Sequence, residues 1–250
     1  MSMSRSIRII AVIPARFGST RFPGKPLQLL KGKPLLQWVV EGTRTSSQIQ
    51  KVYVATDDSR IQNLCEKIGV DCLMTSPICP TGTDRLFEAT RDLDFDVVIN
   101  VQGDEPLINQ SYIDPLAEAF MLDSKLDMAT LAHPILPDDL ENRNAVKIIT
   151  NHNNEAIYFS RFPIPYSREK EPDSNQPLRA ALKHIGLYGY SRDFLQKFCS
   201  SGPVDIEKYE SLEQLRALYL GAKIKVLKVE KPTYGVDTPE DLQKLEALLK

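Results

Sequence analysis

A chain of 250 residues with 42% hydrophobic content has enough apolar side chain for a sizeable core, which excludes a disordered protein. Its 31 Lys and Arg against 33 Asp and Glu leave a formal charge of -2, so no overall positive field exists to hold nucleic acid or an anionic membrane. The 4 cysteines form no C-x-x-C and the 3 histidines no metal-ligand spacing, which argues against a zinc site or a disulfide framework.

Taken in chain order, the first apolar stretch, Ile9 to Ala15, contains Pro14 and runs straight into Arg16. It is too short and wrongly flanked for a signal peptide or a membrane span, which predicts a cytoplasmic protein. IRIIAVIPA, KVYVATDD, VDCLMTS and DVVINVQGD read as strands, each followed by a helical run: LLQWVVEGTRT, SRIQNLCEKIG, TDRLFEATRDL and YIDPLAEAFMLD. Within SRIQNLCEKIG, Cys65 shares an apolar face with Ile61, Leu64 and Ile68, so a buried structural thiol is expected there. Val97 to Val101 is apolar at consecutive positions, the pattern of a strand covered by helices on both faces, so the sheet should be mostly parallel.

From about Asp127 the pattern changes: MATLAHPI, AVKIIT, EAIYFSR and HIGLYGY are strands with only loops between them. This part should be mixed or antiparallel before YESLEQLRALYLG and TPEDLQKLEALLK return to helix. The polar stretch from Pro165 to Gln176 reads as an exposed loop, and no repeat or composition step forces a second independent domain. The expectation is one α/β domain over 1–250, with parts at about 1–126, 127–234 and 235–250.

In open α/β sheets ligands gather at the carboxyl ends of strands, which directs attention to PARFGSTRFPGKP, residues 14 to 26. A dinucleotide fingerprint is absent. Gly18 and Gly24 are separated by five residues and Lys25 is followed by Pro26, so the loop is not a P-loop either. What remains is a proline-pinned loop carrying Arg16, Arg21 and Lys25, with Ala15, Gly18 and Ser19 small enough to let backbone N–H groups approach phosphate oxygens. Such a loop suits a triphosphate, against the alternative of a solvated basic loop.

NVQGDEP places Asp104 directly after an apolar strand, with Gly103 leaving the backbone room. In GVDTPED, Thr238 reads as a helix N-cap, Pro239 as the first helical residue and Asp241 as the acid that completes a capping box. That cap leaves Asp237 unassigned. Two carboxylates from separate elements, with phosphate oxygens and waters, make the usual magnesium environment.

IPARFGSTRFPGKPL, VATDD, TGTDR, NVQGDEP, YFSR, HIGLYGY, LEQLR and GVDTPED, in that order over residues 13 to 241, resemble the 3-deoxy-manno-octulosonate (Kdo) cytidylyltransferases. The resemblance implies a Rossmann-like nucleotidyltransferase fold, a homodimer, dependence on Mg2+, and the reaction of CTP with Kdo to give CMP-Kdo and pyrophosphate for lipopolysaccharide synthesis. It also implies that the first part of the chain binds nucleotide, the middle part sugar, and that the last segment returns to the metal. By that pattern Arg16 and Lys25 hold the triphosphate, Thr81, Gly82, Thr83, Arg85 and Gln102 lie near the nucleotide, and Asp104 and Asp237 take magnesium. His184, Tyr188, Glu213 and Gln214 would face the sugar. Arg161 would meet the sugar carboxylate, or else pack beside the pocket in a structural ion pair.

By strand pattern alone Tyr188 reads as a packing residue and His184 as a satisfied structural histidine. Leu212 and Leu215 form a buried stripe, which turns Glu213 and Gln214 toward either a solvated face or the pocket. Asp84 stands in TGTDR where the resembling family often has glutamate. The alternatives are the same transfer to the 8-amino-8-deoxy analogue, a sialic-acid cytidylyltransferase, against which HIGLYGY and LEQLR argue, and an inactive nucleotide-binding regulator.

Overall fold

The computed structural model describes residues 7–18, 22–166, 168 and 180–249. Ser19 and Arg21, and all of the Pro165–Gln176 loop except 165, 166 and 168, lie outside the described residues. The chain forms two compact units, one of Met1–Met121 with Thr233–Lys250 and one of Leu122–Pro232.

The first unit follows the alternation read from the sequence. Strand β1 (Ile9–Pro14) leads through a single 3-10 turn (Lys25–Leu27) to a two-stranded antiparallel ribbon, β2 (Leu29–Leu30) and β3 (Lys33–Pro34). Then come α1 (Leu35–Thr43), β4 (Lys51–Thr56), α2 (Ser59–Ile68), β5 (Asp71–Met74), α3 (Gly82–Thr90), β6 (Val97–Asn100) and α4 (Gln110–Leu122). The four longer strands are parallel in the order β5-β4-β1-β6, and Ile9, Ala11, Val12 and Ile13 are fully buried. Burial of successive residues is what helices on both faces of a sheet require. Cys65 is buried beside Ile61 on α2, as its helical face predicts.

The second unit opens with β7 (Met128–Pro134), α5 (Pro137–Leu140), β8 (Lys147–Thr150), β9 (Ala156–Ser160) and β10 (Leu182–Ser191). It continues through α6 (Arg192–Ser200), α7 (Asp205–Glu210), α8 (Gln214–Tyr219) and β11 (Ile224–Lys228). Its sheet is mixed: β11 runs parallel to β7, whereas β10 is antiparallel to β7 and β8, and β8 is antiparallel to β9.

Helix α6 is absent from the sequence reading, although Ser191 caps it and Phe194, Leu195 and Phe198 bury one face. The helix expected over YESLEQLRALYLG is two helices instead. Ser211 has φ 52, and this left-handed residue turns the chain between α7 and α8.

The chain then returns to the first unit with α9 (Pro239–Leu248), which begins as the sequence predicts. Thr238 accepts a hydrogen bond from the Asp241 backbone N–H, and Asp241 accepts one from that of Thr238. Val236 and Leu245 pack with Phe22, Leu30 and Leu35, so hydrophobic burial docks this terminal segment.

Candidate active site

The carboxyl ends of β1 and β6 bring the acidic and basic motifs of the first unit together. Gly103 is required at this crossing, because a Cβ there would lie 2.8 Å from the Pro14 carbonyl oxygen. Gly24 has φ 68 and donates its N–H to the Phe17 carbonyl at 2.9 Å, closing the basic loop and delivering Lys25. The Val236 N–H donates to the Asp104 carbonyl at 2.9 Å, which seats Asp237 beside Asp104.

Lys25 Nζ donates to Asp104 Oδ2 at 2.7 Å and to Asp237 Oδ1 at 3.2 Å. Two carboxylates separated by 133 residues in sequence therefore converge on one cationic atom. Among the described residues no group of three or more His, Cys, Asp and Glu is arranged to hold a metal ion. Two carboxylates open to solvent nevertheless fit magnesium, which is commonly bound by one or two carboxylates with substrate phosphates and water completing its shell.

Glu105 is a member of this site that the sequence reading leaves without a role. Its Oε1 accepts from the Thr233 hydroxyl at 3.1 Å, and its buried Oε2 has no hydrogen-bond partner among the described residues. Burial, followed by the charge of Asp104, pushes its carboxyl up to about 8. Two adjacent acids before Pro106 are its only sequence signal. Asn100, at the end of β6, is likewise buried with Oδ1 unpartnered among the described residues.

The other nucleotide candidates occupy distinct settings. Ala15 is buried, Arg16 and Gln102 are half-buried, and Gly18 is exposed. Thr81 caps α3, accepting from the Asp84 N–H at 3.1 Å and donating to Asp84 Oδ2 at 2.8 Å, with Gly82 and buried Thr83 in the turn that follows. Arg85 is 1% exposed, pairs with Asp57 Oδ1 at 3.3 Å and donates to the Thr75 hydroxyl. It ties together the residues that follow β4 and β5, so its direct connections run to the loops.

In the second unit the sugar candidates gather around β10. The rings of His184 and Tyr188 lie 5.4 Å apart, and Phe159 stands edge-on to His184 at 5.1 Å. Desolvation holds the His184 imidazole well below its ordinary value, so it is neutral at pH 7. Burial, with the neighbouring charge of Glu213 next, raises the Tyr188 phenol, while Arg161 opposes the shift. Tyr188 thus shares its surroundings with both of those candidates while its ring packs against those of His184 and Tyr190.

Arg161 donates Nε to the Glu210 carbonyl at 2.9 Å, Nη1 to that of Arg143 at 3.1 Å and Nη2 to that of Ser211 at 3.3 Å. Three of its five side-chain N–H bonds hold backbone among the described residues, which leaves two that could meet an anion. Lys147, fully buried, supports the same region by donating to the carbonyls of Asn142, Ala145 and Arg161 at 3.0, 2.8 and 2.7 Å.

Gln214 corrects the solvated-face alternative. It is only 3% exposed, and its buried Nε2 has no hydrogen-bond partner among the described residues. The short helix after the Ser211 turn has Leu215, Arg216 and Ala217 buried as well, so its interior face is wider than the Leu212–Leu215 stripe.

A sequence profile described as cytidylyltransferase matches residues 10–224. The 3-deoxy-manno-octulosonate cytidylyltransferase of Bdellovibrio bacteriovorus is 56% identical over 243 residues, covering 97% of this chain and 98% of that protein. The protein of the same name from Trichlorobacter lovleyi is 44% identical over 250 residues, covering 98% and 99% of the two chains. A solved CMP:2-keto-3-deoxy-manno-octonic acid synthetase complexed with CTP superposes with a TM-score of 0.90 at 40% identity, covering 97% of this chain and 98% of that one. Residues 10–224 and the full-length likeness lead to one conclusion: the chain belongs to the cytidylyltransferase family, among the 3-deoxy-manno-octulosonate cytidylyltransferases.

Proposed function

We propose that this protein activates 3-deoxy-manno-octulosonate, converting it with CTP into CMP-Kdo and pyrophosphate. The observation that carries the reading is the convergence of Asp104, Asp237 and Lys25 at the ends of β1 and β6. The relatives' names and the CTP complex of the structural neighbour support the choice of sugar and nucleotide.

In this reading the anomeric C2 hydroxyl of the sugar attacks the α-phosphorus of CTP in line with departing pyrophosphate, and no covalent enzyme intermediate forms. Arg16 and Lys25 neutralise charge on the triphosphate as it grows on the leaving group. Ala15 and Gly18 bring backbone N–H groups to the phosphates, and Gln102 with the Thr81–Arg85 turn borders the nucleotide. Asp104 and Asp237 would hold Mg2+, which when bound polarises phosphoryl oxygens. Lys25 must then exchange its two carboxylate partners for phosphate oxygens. His184, Tyr188, Glu213, Gln214 and Arg161 bind the sugar.

The protein would act as a cytoplasmic homodimer whose product serves lipopolysaccharide synthesis. No helix among the described residues is long and apolar enough to cross a membrane. Sedimentation at several protein concentrations tests the self-association.

Purified protein incubated with CTP, Mg2+ and a panel of Kdo, its 8-amino analogue and sialic acid should form the CMP-Kdo mass from Kdo. Absence of that product with all three sugars would refute the enzymatic reading, and preference for either other sugar would reassign the substrate.

Lys25→Met should weaken CTP binding at least about tenfold while changing CMP binding little, since a charge-assisted contact to the outer phosphates is lost. Calorimetry reads both ligands, and equal losses would place the lysine elsewhere. Gln214→Leu should raise the Kdo KM about tenfold with the CTP KM unchanged, by loss of roughly 1 to 1.5 kcal/mol of hydrogen bonding. Because Nε2 lacks a partner among the described residues, this nearly isosteric change should leave the melting temperature at or above that of the native protein. A fall of several degrees would show that the amide is a structural contact instead.

A further inference from the structure

Thr130, fully buried on β7, meets three polar atoms with one hydroxyl. Its Oγ1 lies 2.9 Å from His184 Nε2, 3.2 Å from the Ile185 carbonyl oxygen and 2.8 Å from that of Leu187. A hydroxyl has a single proton to give, and the two carbonyls can only accept. The arrangement that turns most of these contacts into hydrogen bonds gives the proton to the carbonyls, with Leu187 the nearer. In that arrangement Nε2 donates to the Oγ1 lone pair, so a neutral imidazole is the Nε2–H tautomer and Nδ1 is left an acceptor.

The same hydroxyl spans an irregularity in β10. Pairing with β7 passes from Ile185↔Leu131 directly to Tyr188↔Thr130, so Gly186 and Leu187 are extra residues in the ladder. In an unbroken strand His184 and Tyr188 would be about 13 Å apart. Their partners, Ala132 and Thr130, are only two residues apart, which makes the rings neighbours on one face and accounts for their 5.4 Å separation. The carbonyls that flank Gly186 are the two that Thr130 binds.

We propose that Thr130 is a positioning residue for sugar recognition, its hydroxyl holding the β10 bulge and the tautomer that makes His184 Nδ1 an acceptor for a sugar hydroxyl. The proposal rests on reading the His184–Tyr188 cluster as the sugar site. It gives a buried threonine outside the recognised motifs a role in substrate selection, acting through His184 without touching the substrate.

Long-range proton–nitrogen NMR of the full-length wild-type protein should show His184 as the Nε2–H tautomer. Thr130→Val should lose that pattern and raise the Kdo KM about tenfold with the CTP KM unchanged, and Thr130→Ser should restore both. A wild-type Nδ1–H tautomer, or a Thr130→Val protein with the native Kdo KM, would overturn the proposal. Should Thr130→Val fail to fold, the wild-type spectrum and the serine variant still decide it: loss of the native tautomer and Kdo KM in Thr130→Ser would overturn the hydroxyl's role. Turnover of Kdo by the wild-type protein judges the function separately, because the ring spectrum is recorded without substrate.

Discussion

Asp104→Asn and Asp237→Asn are each expected to lower turnover about a thousandfold, near 4 kcal/mol in the barrier, while the protein remains folded. Each change removes one charge from a pair that has no third carboxylate to spare. Glu105 is adjacent but does not replace them, because burial, the largest cause of its raised value, favours its protonated form in both variants. The structural loss should be small: the Asp104 and Asp237 side chains are 31% and 50% exposed, where an ion pair contributes less than about 1 kcal/mol. Steady-state rates across a magnesium titration, with melting curves, check both halves. Native rates at limiting magnesium would remove that residue from the metal site.

The largest effect on stability is expected at Arg216. It is 2% exposed and donates Nε to Glu207 Oε2 at 2.8 Å and Nη2 to Glu207 Oε1, a two-point pairing inside the second unit. Its guanidinium also lies over the Phe198 ring at 4.4 Å. Arg216→Met leaves the Glu207 carboxylate buried without that partner and should cost about 3 to 5 kcal/mol. Removing both charges, as Arg216→Met with Glu207→Leu, should recover most of the loss, since desolvation of the pair offsets much of its attraction. Urea unfolding of the two variants tests this, and a double variant no more stable than the single one would show that the cost lies in lost packing against Phe198.

LEQLR thus divides its work in a way its spacing does not reveal. Leu212 and Leu215 fill the core, Arg216 neutralises a buried acid, and Gln214 holds a buried amide nitrogen with no hydrogen-bond partner among the described residues. The motif is visible in the sequence because all these duties demand specific side chains. Their assignment depends on Ser211, whose left-handed backbone turns α8 away from α7.

The sequence by itself determined the features that arise within a few residues. Consecutive apolar residues gave β1 and β6 two buried faces, and Thr238, Pro239 and Asp241 fixed the start of α9 while leaving Asp237 outside the cap. The need for backbone room at Gly103 was legible too, whereas the Pro14 carbonyl that fills it came from the fold. Tertiary structure alone decided that Lys25 lies between Asp104 and Asp237, that Glu105 is buried, and that a bulge sets His184 against Tyr188. Each of these depends on which distant strand or segment packs opposite. Local propensity and periodicity record the conformation of a segment and the faces it buries, but the register, desolvation and charge around a side chain come from partners far along the chain.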